Sequence, residues 1–262
     1  MSAHPVRIAS VSYLNSRPLV EGLDRDPSIA LSFAVPALLA EELRSGRVDI
    51  ALLPVIDLQR LDSTTILPVG GIGCDGPTLT VRLFSKRPLE QTTTVAADVE
   101  SHTSVILSRI IFAKRFGIAP NYVDLQHTSI SPAETCLLIG DKVITQEPSD
   151  MPFQLDLGQA WKELTGMPFV FAVWTSRPGV DVAAVGPKLE AARVRGMANI
   201  ESIIRDHALP RGWPADIARQ YLTSYLKYDI GPSQLVAIAH FHQLAAELGF
   251  IPSPARRIAV AG

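Results

Sequence analysis

Residues 48–55 read VDIALLPV, and no other segment says more about the architecture. It is apolar without alternation, the pattern of a strand buried on both faces, and such strands belong to largely parallel sheets covered by helices. Immediately upstream, PALLAEELRSG (36–46) has the signature of a helix. Proline sits at its start, Leu38, Leu39 and Leu43 share a face, and Gly46 stands where the helix must stop. Before it lie two strand-like segments, LSFAV (31–35) and VRIASV (6–11). The order strand, loop, strand, helix, strand is an α/β unit.

Downstream the pattern recurs. ILPVGGIGCDGPTLTVRLFS (66–85) offers two extended segments separated by glycines, and TTVAAD (93–98) is a further strand. SVILSRIIFAKRFG (104–117) follows as a helix ending at Gly117, then the strand-like YVDL (122–125) and CLLIGD (136–141). FVFAVWTS (169–176) is a long apolar strand, and the segments 181–207, 215–229 and 233–248 read as an all-helical tail. Two α/β halves with a strand returning from the second predict one lobe inserted into the other. Residues 1–88 plus 176–262 form the first lobe and 89–175 the second, with a ligand cleft between them at the carboxyl ends of the strands.

Composition excludes several classes. At 47% hydrophobic and 19% charged residues the 262-residue chain is globular rather than disordered. A net charge of -2, without long runs of one sign, argues against nucleic acid as a partner. No segment has membrane-spanning length, and MSAHPVRIASVSYLN lacks the apolar core of a secretory signal, so a cytoplasmic location is expected. Cys74 and Cys136 read as small buried hydrophobes. GIGCDG (71–76) matches the dinucleotide fingerprint formally, but Pro77 and a β-rich segment follow it instead of a helix, so it reads as a glycine-rich turn between strands. His240 and His242 fall on different faces of one helix and Trp161, Trp174 and Trp213 are scattered, so neither set makes a metal or base-stacking site. No metal and no cofactor are expected.

Three polar clusters remain. SYLNSRPL (12–19) follows the first strand; Ser16 or Asn15 can cap a helix near Pro18, while Tyr13, Asn15 and Arg17 exceed what capping needs and suit an anion. DVESHTS (98–104) occupies the corresponding place in the second half, with more hydroxyls than a cap requires. LLIGD (137–141) ends a strand at the cleft.

Together, VSYLNSRPL, VDIALLPV, CDGPTLTVRLFSKRP, SHTS, LLIGD and LTGMPFVFAVW resemble the chorismate dehydratase family of menaquinone biosynthesis. The resemblance implies a two-lobed fold like the type II periplasmic binding proteins. It also implies loss of water from chorismate to give 3-[(1-carboxyvinyl)oxy]benzoate, the entry step of the futalosine route. Asn15 and Arg17 are then expected to be catalytic, and Ser12, Tyr13, Asp75, Gly76, Ser101, Thr103, Ser104, Gly140 and Asp141 to bind substrate. Where the family usually has a serine and an arginine this chain has Glu100 and His102, so that arginine's anion contact does not carry over. Asp141, His102 or a substrate carboxylate can serve as base; the last is preferred because the sequence displays no acid and base pair. The competing class is a small-anion binding protein of the same fold, and a third reading is an enzyme acting on another cyclohexadiene carboxylate.

Overall fold

The computed structural model describes residues 4–98, 101–125 and 133–262. The chain lays down β1 (Val6–Ser10), β2 (Ile29–Phe33), β3 (Ile50–Pro54) and β4 (Thr65–Cys74) in one sheet. It crosses to a second sheet for β5 (Val81–Ser85), β6 (Thr94–Ala97), β7 (Asn121–Asp124), β8 (Thr135–Ile139) and β9 (Phe153–Asp156). It then returns to the first for β10 (Phe169–Ser176), β11 (Leu226–Lys227) and β12 (Ala259–Val260). The helices are α1 (Arg17–Val20), α2 (Pro36–Arg44), α3 (His102–Ile111), α4 (Asp141–Thr145), α5 (Leu157–Thr165), α6 (Val182–Ala198), α7 (Ile200–Ile203), α8 (Ala215–Gln220) and α9 (Pro232–Glu247).

VDIALLPV behaves as its pattern requires, with every residue of β3 buried. Both sheets are nevertheless mixed. The first runs β11-β4-β10-β3-β1-β2, with β12 on β4, and the second β7-β6-β8-β5-β9. β1 pairs in parallel with β2 and β3, and β6 with β7 and β8, whereas β10 lies antiparallel between β3 and β4. An antiparallel return needs no crossover helix, which is why a strand arriving from the other lobe can enter the middle of the sheet.

The lobe boundaries fall elsewhere than expected. β5 pairs with β8 and β9, and β10 with β3 and β4, so the chain crosses between 74 and 81 and again between 156 and 169, earlier than 88/89 and 175/176. TLTVRLFS carries no pattern that tells which sheet it joins; the partners decide. The tail is not all helix either, because β11 and β12 both add to β4. GIGC belongs to β4 rather than to a turn. A Cβ on Gly71 or Gly73 would stand 2.6 or 2.7 Å from the Ala172 or Phe169 carbonyl of β10, where the register is also irregular. On α2, Leu39 and Leu43 are buried while Leu38 is 52% exposed, so the apolar stripe is narrower than expected.

A single hydrophobic cluster runs through both lobes, joining Leu53 and Val55 to Leu83, Val95 and Leu107. At the junction Trp161, Phe169 and Phe241 of α5, β10 and α9 meet edge to face, with centroids 5.1 to 6.0 Å apart. Cys74 and Cys136 are buried, and burial pushes both thiols up to about 12, as befits packing residues. Among the described residues no helix is long and apolar enough to cross a membrane.

Two predictions concern this frame. A Cβ on Gly196 of α6 would lie 2.0 Å from the Pro18 carbonyl oxygen of α1, so Gly196→Ala must force the two helices apart. The expected cost is about 3 kcal/mol in denaturant unfolding. Just before β3, Asp49 is opposed by burial, which raises its pKa, but hydrogen bonds from Arg7 and Arg177 outweigh burial and hold it at about 2. That depression contributes stability that is present above about pH 4 and lost as the pH falls through 2. Asp49→Asn should therefore be less stable at pH 7, with the gap to the unsubstituted chain closing towards about pH 2.

Candidate active site

The two sheets face each other across a pocket of about 680 Å³, open mouth included. Its walls are mainly apolar, from Val11, Leu52, Ile72 and Phe171 on one side and Ile139 on the other. Its polar groups come from both lobes, Tyr13 and Asn15 facing the segment from Ser101 to Ser104. An apolar slot with a few converging polar groups is the usual form of a small-molecule site.

SYLNSRPL builds one side by folding back on β1. The Ser16 hydroxyl donates to the carbonyls of Val11, at 2.6 Å, and Tyr13, at 3.0 Å, so it ties the turn down instead of capping a helix. The chain continues through a 3-10 turn into the four-residue α1, without a side-chain cap. This helix is too short to make the N-terminal anion site expected from spacing. The turn does bring Asn15 to the pocket floor, beside Tyr221, where its side chain partly offsets the upward shift of the phenol. Thr80 Oγ1 donates to the Tyr221 hydroxyl at 2.8 Å. Burial raises the Tyr221 phenol well above its ordinary value, so it keeps its proton. Asn15 Oδ1 is buried and has no partner among the described residues, leaving an acceptor for a ligand.

Arg17 does not reach the wall. Its guanidinium sits over the Phe33 ring at 4.7 Å and donates through Nη2 to the Ser12 carbonyl at 3.2 Å. Arg211 donates to that same carbonyl at 3.1 Å. Burial and then the charge of Arg211 lower the Arg17 pKa, the mark of two cations crowded together. Arg17 Nε is buried without a partner among the described residues. Ser12 is likewise off the wall, exposed, its carbonyl occupied by both arginines.

The opposite side is the start of α3. Ser101 holds the N-cap position without a side-chain capping bond, so its hydroxyl is not spent on the helix. Thr103 Oγ1 accepts from the Ile56 N–H at 3.4 Å, and Ser104 lines the pocket beside it. Glu100 lies outside the described residues. His102 also lines the pocket, and its Nδ1 lies 2.8 and 2.9 Å from the two carboxylate oxygens of Asp57, a residue fully buried in the turn after β3. Arg60 Nη1 stands 3.2 Å from Asp57 Oδ1.

Of the remaining expected residues, Gly140 is on the wall, at φ 59°, with its N–H donated to the Thr80 carbonyl at 2.8 Å. Asp141 points away from the pocket. Its Oδ1 accepts from Trp213 Nε1 at 2.8 Å and its Oδ2 lies 3.6 Å from Arg211 Nε, so it ties the second lobe to the tail. Asp75 is exposed and paired with Lys162 at 2.6 Å, and Gly76 bends the chain at φ 128° without lining the pocket. The next residues take their place. The backbone N–H groups of Thr78 and Leu79 donate to the Asp156 carboxylate, and this holds Thr78 and Thr80 on the wall. Tyr221, Thr80 and Asp57 were not legible from spacing, because each arrives from a distant segment. Among the described residues no three His, Cys, Asp or Glu side chains converge as a metal site.

Residues 6–247 match the family described as menaquinone biosynthesis. A chorismate dehydratase of Thermus thermophilus is 29% identical over 251 residues, which cover 84% of this chain and 92% of that protein. Among solved structures, a protein of Archaeoglobus fulgidus aligns with a TM-score of 0.76 at 16% identity, covering 96% of this chain and 100% of the other. The periplasmic aliphatic sulphonate binding protein SsuA of Escherichia coli aligns at 0.65 and 16% identity, covering 97% and 96%. These likenesses give the fold, two mixed α/β lobes of the periplasmic-binding-protein kind. With the match running through both lobes and most of the tail, the chain belongs to the menaquinone biosynthesis family.

Proposed function

We propose that this chain is a hydro-lyase that converts chorismate to 3-[(1-carboxyvinyl)oxy]benzoate and water, the first step of the futalosine route to menaquinone, in the cytoplasm. The observation that carries the reading is the apolar slot in which Asn15 and the Ser101–Ser104 segment oppose each other across the two lobes. Chorismate is a cyclohexadiene ring that bears a hydroxyl, with a carboxylate at one end and a second carboxylate on its ether arm. The likeness to a chorismate dehydratase adds support.

The chemistry follows from charge. Removing the proton from the ether-bearing ring carbon generates negative charge that spreads through the diene into the ring carboxylate. Fixed donors around that carboxylate favour the transition state over the ground state. Ser101, Thr103 and Ser104 supply hydroxyls for it, and Gly140 borders the same wall. Tyr13 and Asn15 orient the substrate from the other lobe, with Tyr221 beside Asn15 on the pocket wall. Arg17 and Arg211, both donating to the Ser12 carbonyl, supply positive potential that draws a substrate carboxylate to that end of the slot. Aromatisation drives the loss of hydroxide, and closure of the lobes excludes water.

The test is incubation of the purified protein with chorismate, following loss of the diene absorbance with mass analysis of the product. Appearance of the dehydrated enolpyruvyl benzoate is expected. Chorismate that binds but stays intact would make the chain an anion-binding protein. In the same assay Asn15→Ala should lower kcat/KM by about 100-fold. Arg17→Ala should raise KM and lower kcat together, by about 10- to 100-fold in kcat/KM, and an unchanged efficiency would remove Arg17 from the site.

A further inference from the structure

We infer that the phenol of Tyr221 is the hydrogen-bond donor to the hydroxyl that departs from the substrate; the inference rests on the activity proposed above. Tyr221 opens the π-helical turn Tyr221–Tyr225 that follows α8, and its side chain reaches the pocket wall beside Asn15. Such turns break the regular helical spacing and are frequent at functional sites. The ring is held from behind. It stacks on Trp213 with centroids 5.0 Å apart and planes 22° from parallel, and Trp213 Nε1 is itself fixed by Asp141 Oδ1 at 2.8 Å. Thr80 Oγ1 donates to the phenol oxygen at 2.8 Å, so the proton of the phenol is not directed at Thr80. Nor does Asn15 Oδ1 receive it, since that atom has no partner among the described residues. Burial opposes ionisation and keeps the proton in place. A buried O–H that accepts one bond and lacks an acceptor of its own is a donor left for a ligand.

The shape of the substrate brings its hydroxyl to this side. In chorismate the carbon bearing the hydroxyl lies across the ring from the carbon bearing the ring carboxylate. With that carboxylate among the hydroxyls of Ser101, Thr103 and Ser104, the substrate hydroxyl points at the facing wall, where Tyr221 stands beside Asn15. A substrate carboxylate takes the proton from the ether-bearing carbon, the C–H electron pair becomes a ring double bond, and the C–O pair leaves with the oxygen. Tyr221 donates to that oxygen as negative charge builds on it, and the oxygen takes up the proton removed from the neighbouring carbon and leaves as water. Atoms and charge balance, and Tyr221 keeps its own proton throughout. The bond strengthens as the C–O bond breaks, so it favours the transition state over the bound substrate.

The experiment is Tyr221→Phe, which removes one oxygen and leaves the ring on Trp213, together with the double variant Tyr221→Phe/Thr80→Val, which also removes the donor that the first change leaves unpaired. The product lacks the departing hydroxyl and makes no use of the phenol proton, so its binding separates the two roles the residue can have. In both variants we expect kcat to fall by about 100-fold while the dissociation constant of 3-[(1-carboxyvinyl)oxy]benzoate, measured by calorimetry, stays within about threefold. A purely structural role on the wall would weaken product binding along with the rate. A kcat within about threefold of the unsubstituted chain, or a loss of rate matched by an equal loss of product affinity, overturns the assignment. Absence of turnover in the unsubstituted chain, measured alongside, overturns the activity itself and the assignment with it.

Discussion

Strand β10 comes back from the second lobe and hydrogen-bonds antiparallel to both β3 and β4 in the middle of the first sheet, and the other features of the fold are arranged around that pairing. Its close approach to β4 requires glycine at 71 and 73, where any side chain would strike the β10 carbonyls. Its Phe169 joins Trp161 and Phe241 in the contact that seals the lobes together, and its Phe171 and Ala172 form part of the pocket wall. One strand thus sets the sheet order, the crossing points and the floor of the site. The second crossing is pinned beside it by Asp156, which accepts from the backbone of Thr78 and Leu79 and also caps α5.

Much of this was legible because local rules and tertiary structure agreed. VDIALLPV, FVFAVWTS and TTVAAD read as strands, and Gly117 ends the helical stretch after α3 in the left-handed conformation expected of it. The segment 153–165 drew no element from the sequence, although Asp156 at the N-cap and Gly166 beyond the C-terminus mark α5 clearly. β9 beside it is four residues long and half polar, too short for periodicity to register. Sheet membership was not legible at all for β5, because an apolar strand fits either sheet until its partners are known.

The site divides along the same line. Tyr13, Asn15, Ser101, Thr103, Ser104 and Gly140 stand out in sequence as polar or flexible residues just past strand ends, and all reach the pocket. Arg17 obeys the same rule but is drawn aside by the Phe33 ring and the Ser12 carbonyl, contacts that depend on β2 and α1 folding as they do. Asp141 is drawn off by Trp213. Thr80 sits inside CDGPTLTVRLFSKRP but was not singled out there, and Tyr221 and Asp57 came from outside every motif: Asp57 stands 45 positions from the histidine it holds, and Tyr221 lies in a helical tail with no local sign of function. Paired chemistry assembled across a cleft leaves no spacing to read.

If catalysis belongs to the slot between Asn15 and the start of α3, a crystal structure with 3-[(1-carboxyvinyl)oxy]benzoate bound must show the product there. The aromatic ring is expected against Ile139 and Phe171, one carboxylate among the hydroxyls of Ser101, Thr103 and Ser104, and the other towards Arg17. Density for the ligand anywhere else, for example in the groove between α9 and the C-terminal segment, would move the chemistry out of this slot and refute the assignment.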